Sequence, residues 1–228
     1  MKFLFLWNCL WYNAFYRKGQ SFIRIPLEFD QLIQIDYIAA PVLISLGSLI
    51  GKLSISQFLA IAIFEPFFSS LNYFLCLYEM HSIDNGGSLY IHTFGAIFGL
   101  TITGVIFCNS KENSKIANSP HLSSDYYSNI ISFIGGLFLW LYFPSFNVAK
   151  IQCKNDEENC QEFMEILRYR GIINTYLSMI GSVFGSFVIS PIVSNGKLKI
   201  EHLINSSYVG GIIIGGVVQF VLGPGQSF

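Results

Sequence analysis

The sequence predicts an all-α protein, a polytopic bundle of transmembrane helices, and three observations predict it. Of its 228 residues 52% are hydrophobic and only 12% charged, with a mean hydropathy of +0.51, whereas a soluble domain carries about 25% charged residues. The apolar residues gather into blocks of about twenty, the length at which a helix crosses a hydrocarbon layer of roughly 30 Å. Short polar links separate the blocks, and two of them carry strong turn chemistry, Asp84-Asn85-Gly86 and Ser194-Asn195-Gly196. Residues 1–228 are therefore read as a single membrane domain.

Residues 1–16 begin with one lysine and an apolar run, the opening of a secretory signal. Bulky aromatics stud the run and no small-x-small cleavage pattern follows, so it reads as the tail of a membrane helix. After a polar link with Arg17, Lys18, Arg24, Glu28 and Asp30, the first full block spans about 32–50 and contains Asp36 and Pro41. The second, about 55–77, carries Glu65-Pro66; neighbouring helices can satisfy a carbonyl that a proline frees. The third, 87–108, follows the Asp84-Asn85-Gly86 turn. A hydrophilic loop with Lys111, Glu112, Lys115 and Pro120 leads to the fourth, about 126–149. Residues 150–170 concentrate the charge and read as a solvated loop with a helical second half. The fifth and sixth blocks span about 172–193 and 203–222. Lysine and arginine fall on both sets of alternate loops, so the positive-inside rule gives no firm orientation.

A net charge of -1 and an isoelectric point near 6.4 leave no basic field for nucleic acid. The five cysteines show no metal-type pairing. Cys9, Cys76 and Cys108 lie in or beside apolar blocks as small hydrophobes, while Cys153 and Cys160 share a polar loop, where a disulfide and two free thiols are equally open readings. No cofactor motif, HExxH or GxSxG is present, so neither a metal, a cofactor nor an enzymatic activity is expected.

A charge inside an apolar block costs a few kcal/mol or more, so Asp36 and Glu65 are expected to face a bundle interior or a wet cavity. In the third block Asp84, Ser88, His92 and Ala96 follow one another at i+4, with Gly95 and Gly99 beside them, giving one polar or small face. Asp84 sits where an N-cap belongs. His92 lies eight residues on, about 12 Å deeper, where an imidazole stays neutral as donor and acceptor at once; packing with one interhelical hydrogen bond and a conduction role both fit it. The fourth block ends in Trp140-Leu-Tyr-Phe-Pro-Ser-Phe146-Asn147. Its rings read either as an interfacial belt or as faces that attract a small cation, worth about 0.5–2 kcal/mol. Gly181, Ser182, Gly185 and Ser186, with Gly210, Gly211, Gly215 and Gly216, permit close helix packing.

Together these residues resemble the ammonium transporter and Rh glycoprotein family, in its Rh branch. The string from Asp84 to Leu100 (DNGGSLYIHTFGAIFGL) resembles the family's fifth core helix, and Ser124 to Asn147 its sixth; Arg170 to Ser178 and Gly196 to Gly211, with His202 and Asn205, agree in order. The likeness implies an integral protein of the plasma membrane that passes ammonium or ammonia through an apolar pore lined by two histidines and gated by two stacked phenylalanines. It makes His92 the first pore histidine and Phe146 one gate aromatic, with Tyr37 where the other gate phenylalanine is expected. Asp84, with Phe143 and Asn147, belongs to the vestibule and its bracing; Phe143 stands where tryptophan is expected. The likeness also implies an incomplete ammonium-transporter-like fold, covering roughly the third to eighth core helices and lacking the second pore histidine. A homotrimer, or a hetero-oligomer with full-length family members in the lipid bilayer, follows from it. A non-conducting Rh-like scaffold is the alternative.

Overall fold

A computed structural model of the chain describes residues 2–16, 29–109, 125–151, 158–218 and 220, and every regular element among them is helical. The helices are α1 (Lys2–Tyr16), α2 (Phe29–Leu49), α3 (Ile55–Phe74), α4 (Phe94–Asn109), α5 (Tyr126–Val148), α6 (Glu158–Val193) and α7 (Ile200–Gly215). Two π-helical turns, Leu75–Glu79 and Ser88–Thr93, extend α3 and lead into α4. Among the described residues five helical stretches are long and apolar enough to cross a membrane: Leu32–Leu49, Ile55–Glu79, Ser88–Cys108, Tyr126–Val148 and Cys160–Val193. The sixth apolar block forms α7, whose 16 residues are fewer than the roughly 20 of a full span.

The helical second half expected of residues 150–170 starts at Glu158 and runs without a break into the fifth apolar block, making the single helix α6. Its first turns are rich in glutamate, leucine, methionine and arginine, good helix formers whatever their charge. Met164 and Leu167, three apart, also lie on one face and pack against the buried cluster of Val148, Ile151 and Val218. Arg168 Nε donates to the Ile151 carbonyl at 2.6 Å. Cys153 lies outside the described residues; Cys160 is disulfide-bonded, and Cys9, Cys76 and Cys108 are reduced thiols.

The chain divides into two compact units, one with α1 to α4 and the other with residues Ile83–Ser88 and α5 to α7. In the first, α1 lays Trp7 and Trp11 against Phe67 of α3, with ring centroids 4.8 and 4.9 Å apart. Ser69 of α3 donates to the Ile38 carbonyl at 2.9 Å, in the turn of α2 that Pro41 loosens. Glycines bring α4 onto α2: a Cβ at Gly95 would sit 2.8 Å from the Pro41 carbonyl oxygen, and one at Gly99 2.8 Å from the Ser45 backbone. In the second unit Asp125 caps α5, accepting from the Ser128 N–H at 2.7 Å, a bond that holds its carboxyl below the usual carboxylate range. Gly210 lets α7 close on α6, where a Cβ would meet Ser182 Cβ at 2.8 Å.

Candidate functional site

His92 and Tyr37 belong to the first unit, and Asp84, Phe143, Phe146 and Asn147 to the second. His92 is half-buried in the π-helical turn Ser88–Thr93, next to the fully buried Tyr90 and Ile91. Tyr37 is 2% exposed and meets Tyr90 edge-on at 6.4 Å; Tyr73 meets the same ring edge-on at 5.0 Å. Three tyrosines from α2, α3 and the turn before α4 therefore form one aromatic cluster, of which the sequence reading had singled out only Tyr37.

The polar face expected on the third block divides in two. Gly95 and Gly99 are buried against α2, while Ala96 is exposed. The reason is the π-helical turn, which carries one more residue per turn than an α-helix and shifts the i+4 series off a straight line. Asp36 is exposed on α2, whereas Glu65 is fully buried, with Oε2 hydrogen-bonded to the Ser45 hydroxyl at 2.5 Å. Glu65 Oε1 has no hydrogen-bond partner among the described residues.

In the second unit Asp84, 3% exposed, accepts the Ser88 N–H at 2.8 Å on Oδ1. A cap usually serves an amide two or three residues on; here it is the fourth, reached across the non-helical turn Asn85-Gly86-Gly87. Gly86 and Gly215 pack main chain to main chain, the Gly86 N–H donating to the Gly215 carbonyl at 2.9 Å, and the Ser88 hydroxyl donates to the Ile212 carbonyl. Asn147 is fully buried and ties three helices together, its Nδ2 donating to the Gly211 carbonyl at 2.9 Å and to Thr175 Oγ1 at 3.2 Å. Phe143 lies 6.1 Å from Phe146 and stacks on Tyr208 at 6.4 Å with the planes 14° apart. Lys150, just past the end of α5, is half-buried near Asp84. Burial brings its amine down to about 7, and the Asp84 charge opposes part of that fall.

Residues 12–227, nearly the whole chain, match the profile of the Ammonium Transporter Family. The chain belongs to that family. Among ammonium transporters it is 34% identical over 215 residues to the Ammonium transporter Rh type C of Rattus norvegicus, covering 94% of this chain and 39% of the relative. It is 34% identical over 202 residues to the Rh type B of Rattus norvegicus, covering 88% of this chain and 41% of the relative. To the Rh type B of Takifugu rubripes it is 35% identical over 202 residues, with the same coverage. The chain thus spans about two fifths of the length of the curated relatives it matches. As an ammonium transporter family member with five apolar, membrane-length helices it is an integral membrane protein.

The sequence reading missed Thr175, which the Asn147 amide needs, and the pairing of Ser45 with Glu65. No local signal gave Thr175. The Ser45–Glu65 pair had one: a hydroxyl and a carboxyl at mid-span in consecutive helices, each needing a partner away from lipid.

Proposed function

We propose that this chain moves ammonium across a membrane, the substrate crossing as ammonia along a narrow apolar path beside His92. The observation that carries this reading is the match to the Ammonium Transporter Family over residues 12–227, which includes every candidate site residue. The physics supports it. An ion in the bilayer centre costs at least about 2.5–3.5 kcal/mol, so a path through apolar helices favours the neutral amine. An imidazole at mid-span offers it one donor and one acceptor without adding a charge. Tyr37 and Phe146 are the gate aromatics in this reading, with Tyr37 bringing a hydroxyl to an otherwise apolar gate. Asp84, Phe143 and Asn147 shape the entrance, and Phe143 attracts the cation less strongly than a tryptophan would. The protein acts in an oligomer of its own copies or of longer family members, in the plasma membrane.

Uptake of methylammonium into liposomes carrying the chain, compared with His92→Ala, tests this. Uptake above empty vesicles that His92→Ala alters several-fold is the expected result. Uptake equal to that of empty vesicles overturns conduction in favour of a non-conducting scaffold.

A further inference from the structure

Glu65 is the only residue of α3 with an acidic or basic side chain, lies near the middle of the membrane-length stretch Ile55–Glu79, and is completely buried. The helices packed on α3 bring no cation to that depth. Neither α2 nor α4 contains lysine or arginine, and in α1 the only one is Lys2, its first residue. Lys52, in the link after α2, donates to the Ser48 carbonyl at 2.6 Å and lies over the Phe107 ring. Among the described residues Glu65 makes one hydrogen bond, between Oε2 and the Ser45 hydroxyl, and Oε1 makes none. An ionised carboxylate would therefore hold a full charge in the membrane interior on a single bond, which does not offset its desolvation.

Ser45 shows where a proton sits. Its hydroxyl is fully buried and meets two oxygens at once, Glu65 Oε2 at 2.5 Å and the Val42 carbonyl at 3.0 Å. A hydroxyl has one proton and two lone pairs, and a carbonyl has lone pairs alone. The contact with Val42 is a hydrogen bond only when Ser45 donates it. The contact with Oε2 must then take its proton from the carboxyl. With Oε2 protonated, the acid donates to Ser45 Oγ, Ser45 donates to the Val42 carbonyl, and each proton has an acceptor. Only the neutral carbonyl oxygen Oε1 is left over, a smaller penalty than a bare charged oxygen.

We propose that Glu65 is a proton-binding site in the membrane interior, holding a proton on Oε2 at neutral pH and hydrogen-bonding α3 to α2 through it at Ser45. The carboxyl is then a neutral donor, and the two helices close on it without an ion pair. The site is separate from His92 and does not depend on conduction.

Infrared spectroscopy of the full chain in D₂O, in a detergent without ester groups, tests this at neutral pH. A protonated carboxyl gives a C=O stretch above the amide and carboxylate bands, and ordinary aspartate and glutamate side chains are ionised at that pH. Such a band is expected. Glu65→Gln abolishes it, and Ser45→Ala moves it to higher frequency because the acid loses its acceptor. Glutamate labelled with ¹³C at the side-chain carboxyl lowers the band in the unsubstituted chain, a readout that needs no variant to fold. Absence of the band, a band that labelled glutamate leaves in place, or one indifferent to Glu65→Gln or to Ser45→Ala overturns the proposal.

Discussion

Where α2 meets α3 and α4 in the first unit, hydroxyls reach main chain: Ser69 of α3 bonds to the Ile38 carbonyl, and Thr103 of α4, a helix brought close by Gly95 and Gly99, bonds to the Ser48 carbonyl at 3.3 Å. Where α6 meets α7 in the second, Gly210 does the same for Ser178 and Ser182. Both seams follow the rule for packing in lipid, where small residues allow close approach and short polar side chains join helices. They differ in what they enclose. The first hides a carboxyl at Glu65, with one oxygen on Ser45 and the other without a partner among the described residues. The second holds serine hydroxyls and the His202 ring, and no carboxyl. Close packing alone is therefore compatible with a buried carboxyl or with an array of hydroxyls, and the two seams should respond differently to substitution.

The largest effect is expected at the glycines. Gly210→Val puts a branched side chain into the α6 backbone, and Gly99→Val does the same to α2. Each should lower stability by about 3 kcal/mol or more, read as early loss of helical signal on heating in detergent. If Gly210→Val melts like the parent, the α6–α7 contact is looser than described. Next in size is Glu65→Met. It removes an oxygen without a partner among the described residues, and the Ser45 hydroxyl then gives its proton to the Val42 carbonyl, 3.0 Å away, so stability should rise by about 1–3 kcal/mol. A fall would show that the carboxyl has a partner in the assembled protein.

The smallest effect lies at Lys150, and it depends on pH. Its amine is lowered from the ordinary 10.5 to about 7. Between those values the unfolded chain binds the extra proton, so stability rises with pH across that window, and the full penalty stands below pH 7. Lys150→Met should accordingly raise the melting temperature by a few degrees at pH 6, with the gain shrinking toward pH 10. A gain independent of pH would mean that the substitution acts through packing.

Much of the fold was legible because spans announce themselves by length and apolarity. The ends of α2, α3 and α5 lie within a few residues of the blocks read from sequence, and Asp84 serves as a cap as its place before the third block implies. The helical second half of residues 150–170, with the good helix formers Glu162, Glu165 and Arg168, was legible, but its unbroken continuation into the fifth block was not. Asp36 was read as inward-facing because it shares a block with apolar residues, yet it lies on the exposed side of α2. Within the candidate site, residue identity was visible but geometry was not. Whether His92 follows Asp84 along a straight face depends on the turn between them, and a π turn leaves no mark in an alternation of small and apolar residues. Ser182 and Ser186 were legible as packing residues, but only coordinates show that they meet the Ser206 and Val183 carbonyls.

A π turn is an α-helix with one residue too many, so Ser88–Thr93 contains a position that could be excised without breaking the ladder of main-chain bonds. Its removal would swing everything upstream by about 100° around the axis. Residue spacing between Asp84 and His92 is consequently a poor ruler for comparing this helix with others. A homologue one residue shorter here could keep both side chains and aim them apart, and one with a different residue at position 92 could still present an imidazole in the same direction from the next position along.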